Sequence, residues 1–460
     1  MKYNFLKDLN FDSIVNSTID IEEGKILIVD SKDQIKLDQY ISEALQKKAK
    51  LVLTSNLSKL EDNQVIKVKD FNDLMEDILN KIYKDYQKLN YFAITGTNGK
   101  TTTGYYLDQL IKKKSIFVGT LDQDNLFSFT NEKNLTTPKL FNLVKMLSLQ
   151  KQQIQNIVLE MSSHALHQNR LEGIKFVISG FTNLTQDHLD YHRTFDEYFL
   201  AKAKLFNPDI SSDFVFIDNE YGNKINEMYS KKGHSVGINK LNDVQILESS
   251  YEHIKFRVEN EIYEQKLNIS GPESYFNLIL GASMAYYSEL FSFDEIIKNI
   301  PQVKNPPGRF DIINSSKGTI IIDYSHSPDS IEKVIKYTLQ KYSKKIIVVF
   351  GAGGDRDSNK RKYMGQAVNL ADEIILTDDN PRTEDPNSII NDIIEGIKLS
   401  KKLTVINDRY KAIQEAFNKM NGDHILLILG KGHEIIQEFN GRDILFNDKE
   451  VVLELISNSW

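Results

Sequence analysis

Apolar and polar positions divide the chain into stretches of different period. Up to about residue 88, short apolar runs at 25–29, 50–54 and 64–68 alternate with segments at 37–47 and 71–86 whose apolar residues recur at helical spacing. That alternation predicts a small α/β unit. A strand, YFAIT, begins at Tyr91 and leads into a Gly-rich loop and a helical pattern, with further strands expected at 154–159 and 176–181. Between 244 and 269 the apolar spacing shortens to two, as in YEHIKFRVENEIYEQKLNI, and predicts antiparallel hairpins. NPPGR at 305–309 suits neither a helix nor a central strand, so a domain boundary is expected there. Beyond it, strands at 319–322, 345–350, 372–376, 403–406 and 424–429 alternate with helices at 329–339, 360–370, 387–397 and 410–420, the pattern of a parallel, doubly wound sheet. The expected class is α/β in three domains: a small α/β domain at 1–88, a central domain of parallel sheet plus hairpins at 89–305, and a doubly wound domain at 306–460.

Composition narrows the function. A length of 460 residues suits about three domains of ordinary size. Lys and Arg total 57 against 64 Asp and Glu, a net charge of −7, which argues against a polyanion binder. The chain has no cysteine, so disulfides, thiolate metal sites and cysteine nucleophiles are excluded. MKYNFLKDLNFDS lacks a signal-peptide core, and no apolar run is long enough to span a bilayer. A cytoplasmic protein that neither inserts into membranes nor binds nucleic acid is expected.

Strand after strand ends in polar residues: ITGTNGKTTT, VLEMSSH, IIDYSHSPD, FGAGGDRD, LTDDNPR and LGKGHE. Ligands of open α/β sheets sit at the carboxyl ends of strands, so chemistry is sought in these loops. ITGTNGKTTT follows a strand and opens a helix, the setting in which backbone N–H groups and a helix N-terminus hold phosphate, with Lys100 reaching the terminal phosphates and the Thr101 hydroxyl facing Mg²⁺. It departs from the usual phosphate loop in carrying Ile94 where the first glycine stands. Glu160, at the end of an apolar strand, suits an oxygen-preferring Mg²⁺ ion. Asp187 and His188 in TNLTQDHLDYH are candidates to assist metal or phosphate, though His188 and His192 equally suit packing and capping; no H-E-x-x-H pattern supports zinc. In FDEYFLAKAKLF, Lys202 shares a helical face with Phe195, Phe199 and Phe206, an arrangement that either lowers the pKa of a reactive amine or lets a lysine snorkel from the core's edge. Arg382 in DDNPRTEDP offers a guanidinium fork for a carboxylate, and Glu434 in LGKGHE an acid for an amine.

Together with EMSSHALHQNR and PPGRFD, these motifs follow one another from about Tyr91 to Glu434 in the order found in the Mur ligases, which the chain resembles. The resemblance implies an ATP-dependent amide ligase of peptidoglycan precursor synthesis with three domains: uridine-nucleotide-binding, ATPase and Rossmann-like. Among Mur ligases it is closest to those that add the third residue, a diamino acid, to UDP-N-acetylmuramoyl-L-alanyl-D-glutamate. The resemblance places Gly96, Thr97, Asn98, Gly99, Lys100, Thr101, Thr102, Asn277, Arg309 and Asp323 on ATP. It puts Thr101, Glu160, His188 and Lys202 at a pair of Mg²⁺ ions, Lys202 as a carbamate formed with CO₂. Lys100, Lys202 and His188 are the implied catalytic residues. Ser17, Thr136, Thr137, Ser162, Gln168 and Arg170 are implied for the UDP-linked dipeptide, and Arg356, Asp379, Asn380, Pro381, Arg382, Gly430 and Glu434 for the incoming amino acid. DNPR goes with meso-diaminopimelate, whose distal carboxylate the arginine receives. A monomer that closes about 305–308 is expected.

Departures from the family pattern lie in the first 90 residues and in DYSHSPD, where Ser325 and Ser327 replace Ala and Thr. Rival expectations are the same ligase adding L-lysine, a folylpolyglutamate synthetase, which DDNPR and EMSSHALHQNR fit badly, and a nucleotide-switched binding protein, which has no use for a second substrate site.

Overall fold

The computed structural model describes residues 3, 6, 9–112, 114–121, 126–130 and 135–459, with backbone alone at 189 and 190. The chain forms two compact units, 1–92 with 113–176 and 93–112 with 177–460.

In the first unit, strands Ile14–Val15, Ile26–Ile28, Leu51–Ser55 and Val65–Val68 lie in chain order in an all-parallel sheet. Helix Gln34–Gln46 starts at Asp33, whose carboxylate accepts from the Ile35 and Lys36 N–H groups. It buries Leu37, Ile41 and Ala44, spaced i, i+4, i+7, against Leu27 and Val52. The helix expected to reach residue 86 ends at Ile82: Tyr83 is extended and Asp85 left-handed (φ 60°), and this break lets Tyr86 turn inward, 2% exposed, with its carbonyl accepting from the Tyr91 hydroxyl. The unit also contains helix Leu140–Leu149 and the parallel pair Ser115–Val118 and Asn156–Glu160; Glu160 is the last residue of its strand.

Strand Asn90–Thr95 carries the chain into the second unit. There, neighbouring strands run Ile178–Phe181, Phe214–Ile217, His234–Gly237, Val244–Ser249, His253–Val258 and Glu261–Lys266. The first four are parallel and the last two add the expected antiparallel hairpins. Helix Lys100–Ile111 packs on helix Ser274–Tyr287 at Gly281, where a β-carbon would stand 3.4 Å from the Leu107 nitrogen and the Thr103 carbonyl.

The same unit holds a six-stranded sheet in the order Asp311–Ser315, Gly318–Asp323, His424–Leu429, Lys345–Phe350, Glu373–Leu376, Lys402–Val405. All pairs are parallel except the first, in which strand 311–315, absent from the strands the pattern predicts, runs antiparallel. Alternate residues point to opposite faces, and both faces are apolar. Ile346, Val348 and Phe350 meet helices Pro328–Tyr342, Asn359–Ala367 and Pro386–Ile394, whereas Ile347 and Val349 meet Arg409–Lys419 and Asp448–Ser457. This is the doubly wound arrangement expected. Hairpin Ile436–Phe439/Arg442–Leu445 and the final helix are further additions.

Candidate active site

The phosphate loop is shaped by two glycines. At Gly96 (φ 148°) a β-carbon would stand 1.9 Å from the Thr182 hydroxyl, and at Gly99 (φ 83°) 2.6 Å from the Asn277 amide oxygen. The loop rests on the end of strand Ile178–Phe181. Thr97 N–H donates to the Asn183 carbonyl (2.8 Å), Asn98 N–H to the Asn183 side chain (3.0 Å), and the Thr182 hydroxyl to the Asn98 carbonyl (2.7 Å). Gly99 caps the helix that begins at Lys100, so the N–H groups of the loop and of the first helical turn lie together. Lys100 Nζ donates to the Thr97 carbonyl at 2.8 Å.

Lys202 is buried, as its position in the sequence suggested, at 1% exposed. Its helix is shorter than drawn from the pattern, Phe195–Ala203 followed by a 3₁₀ turn to Phe206. The face is also different. Phe195 and Phe199 turn to Tyr221, while Lys202 lies with Tyr198, one helical turn earlier, its Nζ 4.6 Å from the ring centroid. Nζ donates to the Gly96 carbonyl at 2.6 Å, tying the lysine to the phosphate loop, and the Tyr198 hydroxyl lies 3.0 Å from Thr97 Oγ1. Sequence reasoning missed Tyr198, although it stands at i−4 from the lysine. Asp187 and His188 follow the Thr182–Thr185 segment. Burial works to raise the Asp187 pKa, but His188, His326 and Lys360 charges and the His188 N–H outweigh it and bring it down to about 2.

An open cleft runs from Asn98, Gly99 and Thr102 past Asn277 to Arg309, Asp323 and His326. The Arg309 guanidinium lies 4.2 Å from the Tyr324 ring centroid and reaches Thr101 Oγ1 at 3.4 Å; its Nε is buried without a hydrogen-bond partner among the described residues. Asp323, expected on ATP, is engaged internally: one oxygen takes the Phe310 N–H (2.7 Å), the other the Ser325 N–H (2.8 Å) and hydroxyl. Burial pushes its pKa up against these donors and Arg309. Asn305 is pinned by the Tyr106 hydroxyl (2.8 Å) and the Ser270 carbonyl (2.6 Å).

A second loop cluster lies past the strands of the six-stranded sheet. Asp379 and Asn380 are buried, and Gly430 (φ 111°) approaches so closely that a β-carbon would stand 2.4 Å from Asp379 Oδ2. Arg382 is tied at two edges: Nε donates to Glu438 (2.9 Å) and NH1 to the Gly354 carbonyl (2.6 Å), leaving NH2 without a partner among the described residues. Pro381 stacks its carbonyl against Gly354, where a β-carbon would be 1.9 Å away. Arg356 is exposed on the neighbouring loop. Arg361, 2% exposed, organises both loops by donating to Gly353 O, Glu384 and Asp392. Glu438 and Arg361 were not singled out from sequence, because neither belongs to a strand-end motif.

In the first unit the residues implied for the UDP-linked dipeptide come together, with one exception. The Thr137 hydroxyl donates to Glu160 O (2.7 Å) and accepts from Ser162 N–H (2.9 Å). Arg170 reaches Thr137 O and Gln168, both at 2.8 Å, and Thr120 bridges Thr136 (3.5 Å) and the Glu160 carboxylate (3.0 Å). The Ser17 hydroxyl instead accepts from the Ile19 N–H and caps the turn Thr18–Asp20.

A glycine-shaped loop between a strand and a helix N-terminus in one α/β layer, and a second polar loop cluster at the strand ends of another, are the arrangement of an α/β ligand-binding protein. Residues 94–285 match the family described as Mur ligase middle domain, and 308–432 that of the Mur ligase glutamate ligase domain. A UDP-N-acetylmuramoyl-L-alanyl-D-glutamate–2,6-diaminopimelate ligase from Rickettsia prowazekii is 35% identical over 98% of each chain, and one from Aquifex aeolicus 38% over 81% of this chain and 78% of its own. Among solved structures, a ligase of that same name superposes with a TM-score of 0.63 at 29% identity, covering 97% of this chain and 94% of its own. The chain belongs to the Mur ligase family, whose members are ATP-dependent amide ligases.

Proposed function

We propose that this chain is the ligase that joins meso-diaminopimelate to UDP-N-acetylmuramoyl-L-alanyl-D-glutamate at the expense of ATP, in peptidoglycan precursor synthesis. The observation that carries the reading is the 35% identity to a ligase of that name over 98% of both chains. The site supports it. In the first step a side-chain carboxylate oxygen of D-glutamate attacks the γ-phosphorus and ADP leaves, giving an acyl phosphate. In the second, the amine of the diamino acid attacks the acyl carbon, inorganic phosphate leaves and the nitrogen loses a proton. Lys100 and Arg309 stabilise charge on the transferring phosphoryl group. Arg309 Nε, which has no partner among the described residues, is a donor suited to a phosphate oxygen. Arg382 NH2 suits the distal carboxylate of diaminopimelate, and Glu434 its ammonium.

Among the described residues no group of three or more His, Cys, Asp or Glu is placed to hold a metal by itself. That fits Mg²⁺, which keeps several waters and takes one or two protein oxygens beside those of the nucleotide. Thr101 and His188 are the residues here that would hold it, and Mg²⁺ would neutralise triphosphate charge. Buried Lys202, its amine against the Gly96 carbonyl, is the side chain proposed to carry a carbamate. Cytoplasmic location, a monomeric state and domain boundaries at 88/89 and 305/306 belong to the same proposal.

The test is a mass spectrum of the products formed from ATP, Mg²⁺, the UDP-linked dipeptide and meso-diaminopimelate. A nucleotide tripeptide, with one ADP and one phosphate for each, is expected. Phosphate release without a new amide would overturn the reading.

A further inference from the structure

Lys431 is entirely buried, although it lies in a loop of otherwise flexible composition between two glycines. Gly430 (φ 111°) and Gly432 (φ 54°) both adopt backbone conformations that L side chains rarely take, and together they turn the lysine inward. Burying an ammonium is costly unless its donors are satisfied. Here all three N–H groups have acceptors: the Ile436 carbonyl at 2.6 Å, Glu434 Oε2 at 2.8 Å and Asn380 Oδ1 at 3.1 Å.

The acceptors are bound to one another. Asn380 Oδ1 also takes the Glu438 N–H (3.0 Å), and Asn380 Nδ2 donates to Glu434 Oε2 (2.9 Å). Two donors on Oδ1 and an acceptor on Nδ2 leave the amide one orientation. Glu434 Oε2 receives two donors, whereas Oε1 has no partner among the described residues; the side chain is 26% exposed.

We propose that Lys431 is a positioning residue for the incoming amino acid: it anchors Glu434 by one carboxylate oxygen, leaving the other to the substrate ammonium, and fixes the Asn380 amide beside it. This rests on the ligase reading above. The lysine touches no substrate and acts through Glu434 and Asn380.

The experiment compares wild type with Lys431→Met, Glu434→Gln and the double variant, measuring kcat and KM for diaminopimelate and for ATP. Lys431→Met is expected to raise KM for diaminopimelate at least tenfold and to leave KM for ATP within twofold. The double variant is expected to lose no more kcat/KM for diaminopimelate than the worse single variant, because the two residues act as a unit. Additive losses, an equal loss toward ATP, or an unchanged KM for diaminopimelate would each overturn the proposal. Should Lys431→Met show no cooperative thermal transition, Lys431→Gln, which keeps a donor without the charge, is read by the same criteria. Failure of the underlying ligase reading would appear separately, as wild-type enzyme with no turnover on any diamino acid, and would remove the proposal with it.

Discussion

At the scale of single residues, an ammonium with 1% exposure at Lys202 needs a compensating environment, and the Gly96 carbonyl and Tyr198 ring supply it. Lys202→Ala is expected to lower kcat at least a hundredfold, about 2.7 kcal/mol of barrier, with partial recovery on adding formate or acetate; full activity in the unsupplemented variant would contradict the carbamate role. Arg382 presents NH2 while Glu438 and Gly354 hold its other edges. Removing a charge-assisted contact costs about 1.5–3 kcal/mol, so Arg382→Ala should raise KM for diaminopimelate by roughly ten- to a hundredfold and spare KM for ATP, as initial-rate kinetics will show. Gly96→Ala adds a β-carbon 1.9 Å from the Thr182 hydroxyl; nucleotide binding by calorimetry should be lost.

The elements that present these residues are held by their ends. The buried Arg409–Asp448 pair, both side chains 0% exposed, ties helix Arg409–Lys419 to the final helix, and Arg409 also donates to Leu429 O at the end of the central strand. Breaking a buried pair strands a charge, so Asp448→Ala is expected to cost about 3–5 kcal/mol in denaturant unfolding. Asp213 joins strand Phe214–Ile217 to Lys231 and His234. Burial alone would raise its pKa, but bonds from His234, the Phe214 N–H and Lys231 bring it below the ordinary aspartate range. A carboxylate depressed on folding contributes stability above its unfolded pKa and loses it as pH falls through the lower folded value. The stability gap between wild type and Asp213→Asn should therefore be full near neutral pH and shrink below about pH 4. Strands at 345–350 and 424–429 were legible to the residue because both faces are buried and the apolar run is unbroken. The break after Ile82 was not, because the drive for it is burial of Tyr86, a tertiary effect that the local helical pattern masks.

For the whole molecule, the polar motifs lie at the strand ends where the sequence pattern expects them, since in a doubly wound sheet polar residues after apolar strands have one place to go. What stayed hidden was the support behind them. Tyr198 under Lys202, Glu438 against Arg382 and Arg361 beneath two loops sit outside any motif, and their partners are distant in sequence. Asp323 was legible as a polar strand-end residue, and its carboxylate ties Phe310 and Ser325 together. The central claim concerns what the two loop clusters do together: ATP is consumed to attach a diamino acid bearing a second carboxylate. The most direct test is phosphate release from ATP with Mg²⁺ and UDP-N-acetylmuramoyl-L-alanyl-D-glutamate, with meso-diaminopimelate and L-lysine added in parallel. Turnover with diaminopimelate, and little with L-lysine or with no amino acid, is the predicted result; turnover mainly with L-lysine, or equal turnover without any amino acid, would contradict it.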